Sequence, residues 1–226
     1  MKRHFDDDLK KLNTDILKMS ILAEEAIFKA IESLKNRDKS LAQSVIEADR
    51  NIDELELLVE EMAISLLALK QPIARDLRFI TTGMKINSEL ERIADLAVNI
   101  AQRAMELIDK PLLKPLIDIP KLTDIARRMV KDVTDAFINN DEQLAKKVIL
   151  SDSEADNLRN LIQEELISNY MSKDGTTAFR AVSLLLIARH LERICDHATN
   201  IAEDVVYMIN ATVVKHHYEK LEENNQ

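Results

Sequence analysis

Glycine and proline are almost missing from this chain, with two of the first and four of the second in 226 residues. Tight turns between strands draw on Gly, Pro and Asn-Gly pairs. Their scarcity all but excludes an all-β or α/β fold and predicts an all-α one. Tryptophan is absent. The lone cysteine, Cys195, has no intrachain disulfide partner, and that usage gives the cytoplasm as the expected location. No apolar run approaches the roughly 18 residues of a spanning helix, so no membrane insertion is expected. The opening Met1-Lys2-Arg3-His4-Phe5 runs into Asp6, Asp7 and Asp8, which does not read as a signal peptide. Positive charge is also short: 31 Lys and Arg stand against 40 Asp and Glu, for a net charge of −9. Phosphate backbones and anionic lipid surfaces both call for basic patches, and no Lys/Arg block is present. Nucleic acid is therefore not an expected partner.

What the chain does have is helical periodicity. Apolar residues recur at spacings of three and four almost throughout. The first helix carries Leu9, Leu12, Ile16, Met19, Ala23, Ala26 and Ala30, with Asp6, Asp7 and Asp8 at its start. It is expected to end near Asn36-Arg37-Asp38. The second shows Leu41, Val45, Ala48, Ile52, Leu55, Val59, Met62, Leu66 and Leu69, an unbroken bundle seam that stops at Gln71-Pro72. The third carries Ile86, Leu90, Ile93, Ala97, Ile100, Ala104 and Leu107. Pro111, Pro115 and Pro120 then mark a linker. A fourth helix should run to about Ile138 and a fifth to about Tyr170; a sixth should run from about Thr176 to His216.

The chain also repeats itself. A shift of 101 residues lays Leu90, Glu91, Arg92 and Ile93 on Leu191, Glu192, Arg193 and Ile194, then Asp95 on Asp196 and Asn99 on Asn200. A shift of 103 lays Leu41, Val45, Asp49, Asp53 and Leu55 on Leu144, Val148, Asp152, Asp156 and Leu158. Any bundle seam repeats Leu and Ile, but that does not explain polar residues repeating in register. The expected architecture is two tandem, internally repeated three-helix bundles of six long helices, over residues 1–112 and 113–226.

The repeated polar residues are the candidate chemistry. Glu91, Asp95 and Asn99 fall four apart, so they stack along one helical line. Asp49 and Asp53 form a second line on the neighbouring helix, and the two lines can face each other. Glu192, Asp196 and Asn200 with Asp152 and Asp156 repeat the set. Like charges held together must be protonated, paired with arginine or neutralised by a metal ion. Oxygen-only ligands suit hard cations such as Mg, Ca, Mn or ferric iron. The other reading makes these residues salt-bridged surface carboxylates, with Arg50, Arg75, Arg78, Arg92 and their counterparts as partners.

Catalysis is not advertised. Carboxylate bundles that hold two irons use Glu-x-x-His, and no such tetrad occurs. His190, His197, His216 and His217 lie off the ligand lines and read as solvent or interface residues. Zinc-protease, nucleophile-elbow and glycine-loop signatures are missing too.

The stretches from Leu90 to Ala101 and from Leu191 to Ala202 resemble the twin signatures of the PhoU family. So do Val45-Ile46-Glu47-Ala48-Asp49 and Gln71-Pro72-Ile73-Ala74-Arg75-Asp76-Leu77-Arg78. The resemblance runs through the whole chain in order. It implies a cytoplasmic, non-catalytic, often dimeric regulator of phosphate uptake and phosphate-starvation signalling. Such proteins negatively regulate the phosphate regulon together with a phosphate ABC transporter, through its ATPase, and a phosphate-sensing histidine kinase. It also implies metal binding through paired acidic motifs: Asp49 with Asp53, Glu91 with Asp95, Asp152 with Asp156, and Glu192 with Asp196. Asn99 and Asn200 follow as weaker ligands. The implied cofactor is one or more metal ions on oxygen ligands: iron, in multinuclear clusters in some members, or Mn, Mg or Zn. The family commonly has Gly where this chain has Ala94 and Cys195. The sulfur of Cys195 would either crowd or soften the second site, or pack into the seam.

Overall fold

The computed structural model describes residues 2–212. Its regular structure is helical: α1 (Lys2–Asn36), α2 (Lys39–Lys70), α3 (Ala74–Ile108), α4 (Asp118–Asn139), α5 (Glu142–Glu165) and α6 (Ala178–Asn210). A π-helical turn, Leu166–Met171, prolongs α5, and a 3-10 turn, Gly175–Thr177, leads into α6.

The repeat shows first in its turns. Arg37 and Asn140 occupy equivalent left-handed positions, at φ 56° and 53°, where α1 and α4 stop. The next residue is an aspartate in both halves. Asp38 accepts a hydrogen bond from Leu41 N and Asp141 from Leu144 N, each at 3.0 Å, capping α2 and α5. The prolines of residues 110–117 keep that connection free of regular helix, and α4 begins at Asp118 with Pro120 in its first turn.

Three expectations need correction. The first helix begins at Lys2, so Asp6, Asp7 and Asp8 lie beyond its first turn rather than at its start. The sixth ends at Asn210, where Ala211 turns left-handed at φ 56° and donates its N–H to Tyr207 O. It does not reach His216, which with His217 lies outside the described residues. Along α2 the seam drifts: Ala48 and Leu69 are exposed, while Ala42 and Ala63 are buried with Val45, Ile52, Leu55, Val59 and Leu66. A strict 4-3-4-3 pattern averages 3.5 residues per turn against 3.6 for the helix, so the stripe rotates off the contact line.

Helices α1, α2 and α3 pack on one another, as do α4, α5 and α6. The two groups share one hydrophobic core. Antiparallel α3 and α6 run along each other, tied by Lys85 Nζ to Asp204 Oδ1 at 2.7 Å and by Arg78 Nε donating to Met208 O at 3.1 Å. α1 meets α4 through the buried pair Ser20–Thr134. Gly83 lies at this centre, against Leu12, Ile16 and Phe137. A Cβ there would meet Ile16 Cδ1 at 3.2 Å, and the stacked rings of Phe79 and Phe137 lie alongside. Among the described residues, no helix is long and apolar enough to cross a membrane.

Candidate functional site

Antiparallel pairing of α2 with α3 sets the two acidic lines of the first half face to face. Asn87 fixes the register by donating its side-chain amide to Glu56 O at 2.9 Å. Asp49 is half-buried, and burial followed by the charges of Asp53 and Asp95 pushes its pKa up to about 6. Burial and the charges of Asp95, Glu56 and Asp53 also raise the pKa of Glu91, against a smaller lowering from Arg92. Charge couples Asp49, Asp53, Glu91 and Asp95 across α2 and α3.

The second half repeats the arrangement between α5 and α6. Burial, then Asp156 and Glu192, raises Asp152, while Thr199 Oγ1 donates to its Oδ1 at 3.3 Å. Asp196 stands at the solvent edge, yet burial of its carboxyl and the charges of Glu192, Asp152 and Asp156 push its pKa up to about 6. Asn99 and Asn200 are half-buried on their predicted lines, but no hydrogen bond ties either to these carboxylates among the described residues.

Of the arginines considered as partners, Arg92 alone meets a predicted site carboxylate, at 3.4 Å from Glu91 and 3.6 Å from Asp95. Arg50 pairs with Glu54 on its own helix, and Arg78 serves the end of α6. The partner that sequence reasoning missed is Arg159, whose Nη2 donates to Glu192 Oε1 at 3.0 Å. The 103-residue shift lays Arg159 on Glu56, a mismatch that a search for repeated residues passes over. Following α2 at helical spacing from Asp49 and Asp53 also reaches Glu56 and Glu60. Burial and the charges of Glu60 and Asp53 raise the pKa of Glu56.

Cys195 packs into the seam, fully buried. Burial, and then the four carboxylates of the second group, drive its thiol pKa far up, so it stays protonated. His197 is an interface residue, with Nδ1 2.5 Å from Glu89 Oε2 across α3 and α6. His190 is half-buried, and burial with the nearby charges of Arg193, Arg103 and Arg189 lowers its pKa.

Among the described residues, no group of three or more His, Cys, Asp or Glu side chains is arranged to hold a metal ion. The chemistry of the donor set nonetheless suits a hard cation. Each group offers carboxylate oxygens whose pKa is raised first by burial and then by neighbouring carboxylates.

Residues 16–104 and 119–205 each match the PhoU domain. The chain belongs to the PhoU family. It is 42% identical over 213 residues to the phosphate-specific transport system accessory protein PhoU homolog of Aquifex aeolicus, covering 94% of this chain and 96% of that protein. The crystal structure of PhoU from Pseudomonas aeruginosa matches with a TM-score of 0.88 at 33% identity, over 92% of this chain and 100% of that one. The phosphate transport system regulatory protein PhoU from Streptococcus pneumoniae matches with a TM-score of 0.86 at 28% identity, over 93% and 99%. The two family matches fall on the two three-helix groups, so both acidic grooves lie within PhoU domains.

Proposed function

We propose that this protein is a non-catalytic, cytoplasmic regulator of phosphate uptake that represses the phosphate-starvation response. Its partners would be the ATPase of a phosphate ABC transporter and a phosphate-sensing histidine kinase, and it would act as a homodimer. Relatives named as accessory and regulatory proteins of phosphate transport support this reading. The observation that carries the site is the duplication in register of four mutually repelling carboxylates.

Asp49, Asp53, Glu91 and Asp95 would hold metal in the first half, and Asp152, Asp156, Glu192 and Asp196 in the second. Asn99 and Asn200 lie at hand on the same lines. A hard cation held by these carboxylates would offset part of their negative charge and could share a remaining coordination position with a carboxylate or phosphate group of a partner. The chain itself supplies apolar docking surface. Open grooves related by the repeat run between α1 and α2 past Leu58 and between α4 and α5 past Leu161, and both leucines are exposed.

Alanine at Asp49, Asp53, Glu91 and Asp95 together, in a protein of normal helicity, should abolish ATPase binding and phosphate repression of a reporter. If both survive, the acidic groove is not the working surface. A second reading, a metal-free helical adaptor, draws on Arg159 and Arg92, which already neutralise part of each group. It predicts that chelators change neither stability nor partner binding.

A further inference from the structure

Charge is balanced at one end of the α3–α6 seam and unbalanced at the other. At the balanced end Lys85 bridges to Asp204 at 2.7 Å and Glu89 to His197 at 2.5 Å. The 101-residue shift carries Lys85 to Leu186 and Glu89 to His190 on α6. In reverse it carries Asp204 to Arg103 and His197 to Leu96 on α3. Since α3 and α6 are antiparallel repeat mates, the far end sets Leu186 opposite Arg103 and His190 opposite Leu96. Both bridges are lost there, and each acid gives way to a basic residue.

The side chains follow this exchange. The charges that reach His190 are those of Arg193, Arg103 and Arg189, with no carboxylate among them. Arg189 adds a cation where the first half has Ser88. It lies one turn from Arg193 on α6, so the two share a helix face. Both are exposed, and neither makes an ion pair or hydrogen bond among the described residues. Arg92, the repeat mate of Arg193, instead lies against Glu91 and Asp95. Arg103 engages Glu106 through Nη1 alone, at 2.7 and 2.9 Å.

A separate observation marks the imidazole. His190 buries Nδ1 without a hydrogen-bond partner, which leaves Nε2 as the ring nitrogen open to a ligand. Three guanidinium groups around one imidazole repel one another, and an anion among them relieves that repulsion. Guanidinium presents paired N–H donors whose spacing matches the oxygens of phosphate. The cluster is assembled by the fold, with Arg103 from α3 and the rest from α6, in a chain of net charge −9.

We propose that Arg103, Arg189, His190 and Arg193 form an anion site for a phosphate dianion, either the free ion or the phosphate group of a monoester. Arg189 and Arg193 hold its oxygens from α6, Arg103 approaches from α3, and His190 Nε2 donates between them. The site needs no metal, so it does not depend on the reading of the acidic grooves above.

The test is calorimetric titration of the chelator-treated full chain with inorganic phosphate and, separately, with glycerol 3-phosphate, with helicity checked for each variant. Chelation removes any metal that could anchor phosphate elsewhere. Wild type should show saturable uptake at one site per chain. Tighter binding of inorganic phosphate assigns the free ion, and tighter binding of the monoester assigns a phosphorylated ligand. Arg189→Gln and Arg193→Gln should each weaken binding by about tenfold, and Arg103→Gln should act in the same direction. Arg92→Gln, at the repeat-related position, should leave it unchanged. No saturable uptake of either probe by wild type would overturn the proposal. So would uptake that the Arg189→Gln/Arg193→Gln double substitution leaves unmoved.

Discussion

Ser20 on α1 and Thr134 on α4 share a buried hydrogen bond of 2.7 Å across the boundary between the repeats. Thr134 Oγ1 also donates to Val130 O at 2.9 Å, which uses its single proton. Ser20 is therefore the donor of the pair. With the common apolar core, this bond makes the two halves one structural unit. Ser20→Ala should cost about 1–2 kcal/mol, because it leaves a buried acceptor without its donor. Thr134→Val added to it should cost less than the sum of the two single changes. Urea unfolding of the four proteins checks this, and strict additivity would show the pair uncoupled.

The raised carboxylates fix a pH dependence. Folding lifts the Asp49 pKa from 3.8 to about 6, so the folded state binds this proton more tightly than the unfolded chain. The sign is that of stability gained on acidification and lost as pH rises through about 6. Chelator-treated Asp49→Asn should lack this contribution. Thermal unfolding from about pH 7 to pH 4 should show the wild type gaining on the variant as pH falls. Parallel profiles would mean that Asp49 carries no such shift. Asp196→Asn makes the same comparison in the second half, where the pKa is also pushed up to about 6.

Cys195 should be inert in the folded protein. Its side chain is fully buried and its thiol is held protonated by burial and four neighbouring carboxylates. A thiol-specific reagent should label it only as the chain unfolds in denaturant. Rapid labelling under native conditions would contradict the packing of α6 described above.

Much of this fold is legible in the sequence because each helix stop has a chemical cause. Asp38 and Asp141 are capping residues by type and position, and Pro111 and Pro115 interrupt helix by their ring geometry. The end of α6 is less legible, since Val213 and Val214 continue an apolar pattern past the stop at Asn210. Ala48 and Leu69 are misread for a geometric reason, the slow rotation of a 3.5-residue pattern on a 3.6-residue helix. The acidic lines are legible because the repeat carries them twice. Glu56 and Arg159 are not, because a search for repeated identity passes over a position where the repeat reverses charge.

The most direct test of the account is elemental analysis of untagged protein purified without chelator, beside a Glu91→Ala/Glu192→Ala double variant of equal helicity. The account predicts a stoichiometric hard cation, iron or manganese foremost, in the wild type and its loss in the variant. Metal-free wild type, indistinguishable from the variant even after reconstitution with Fe, Mn, Mg and Zn, would contradict it and leave a regulator that works through helix contacts alone.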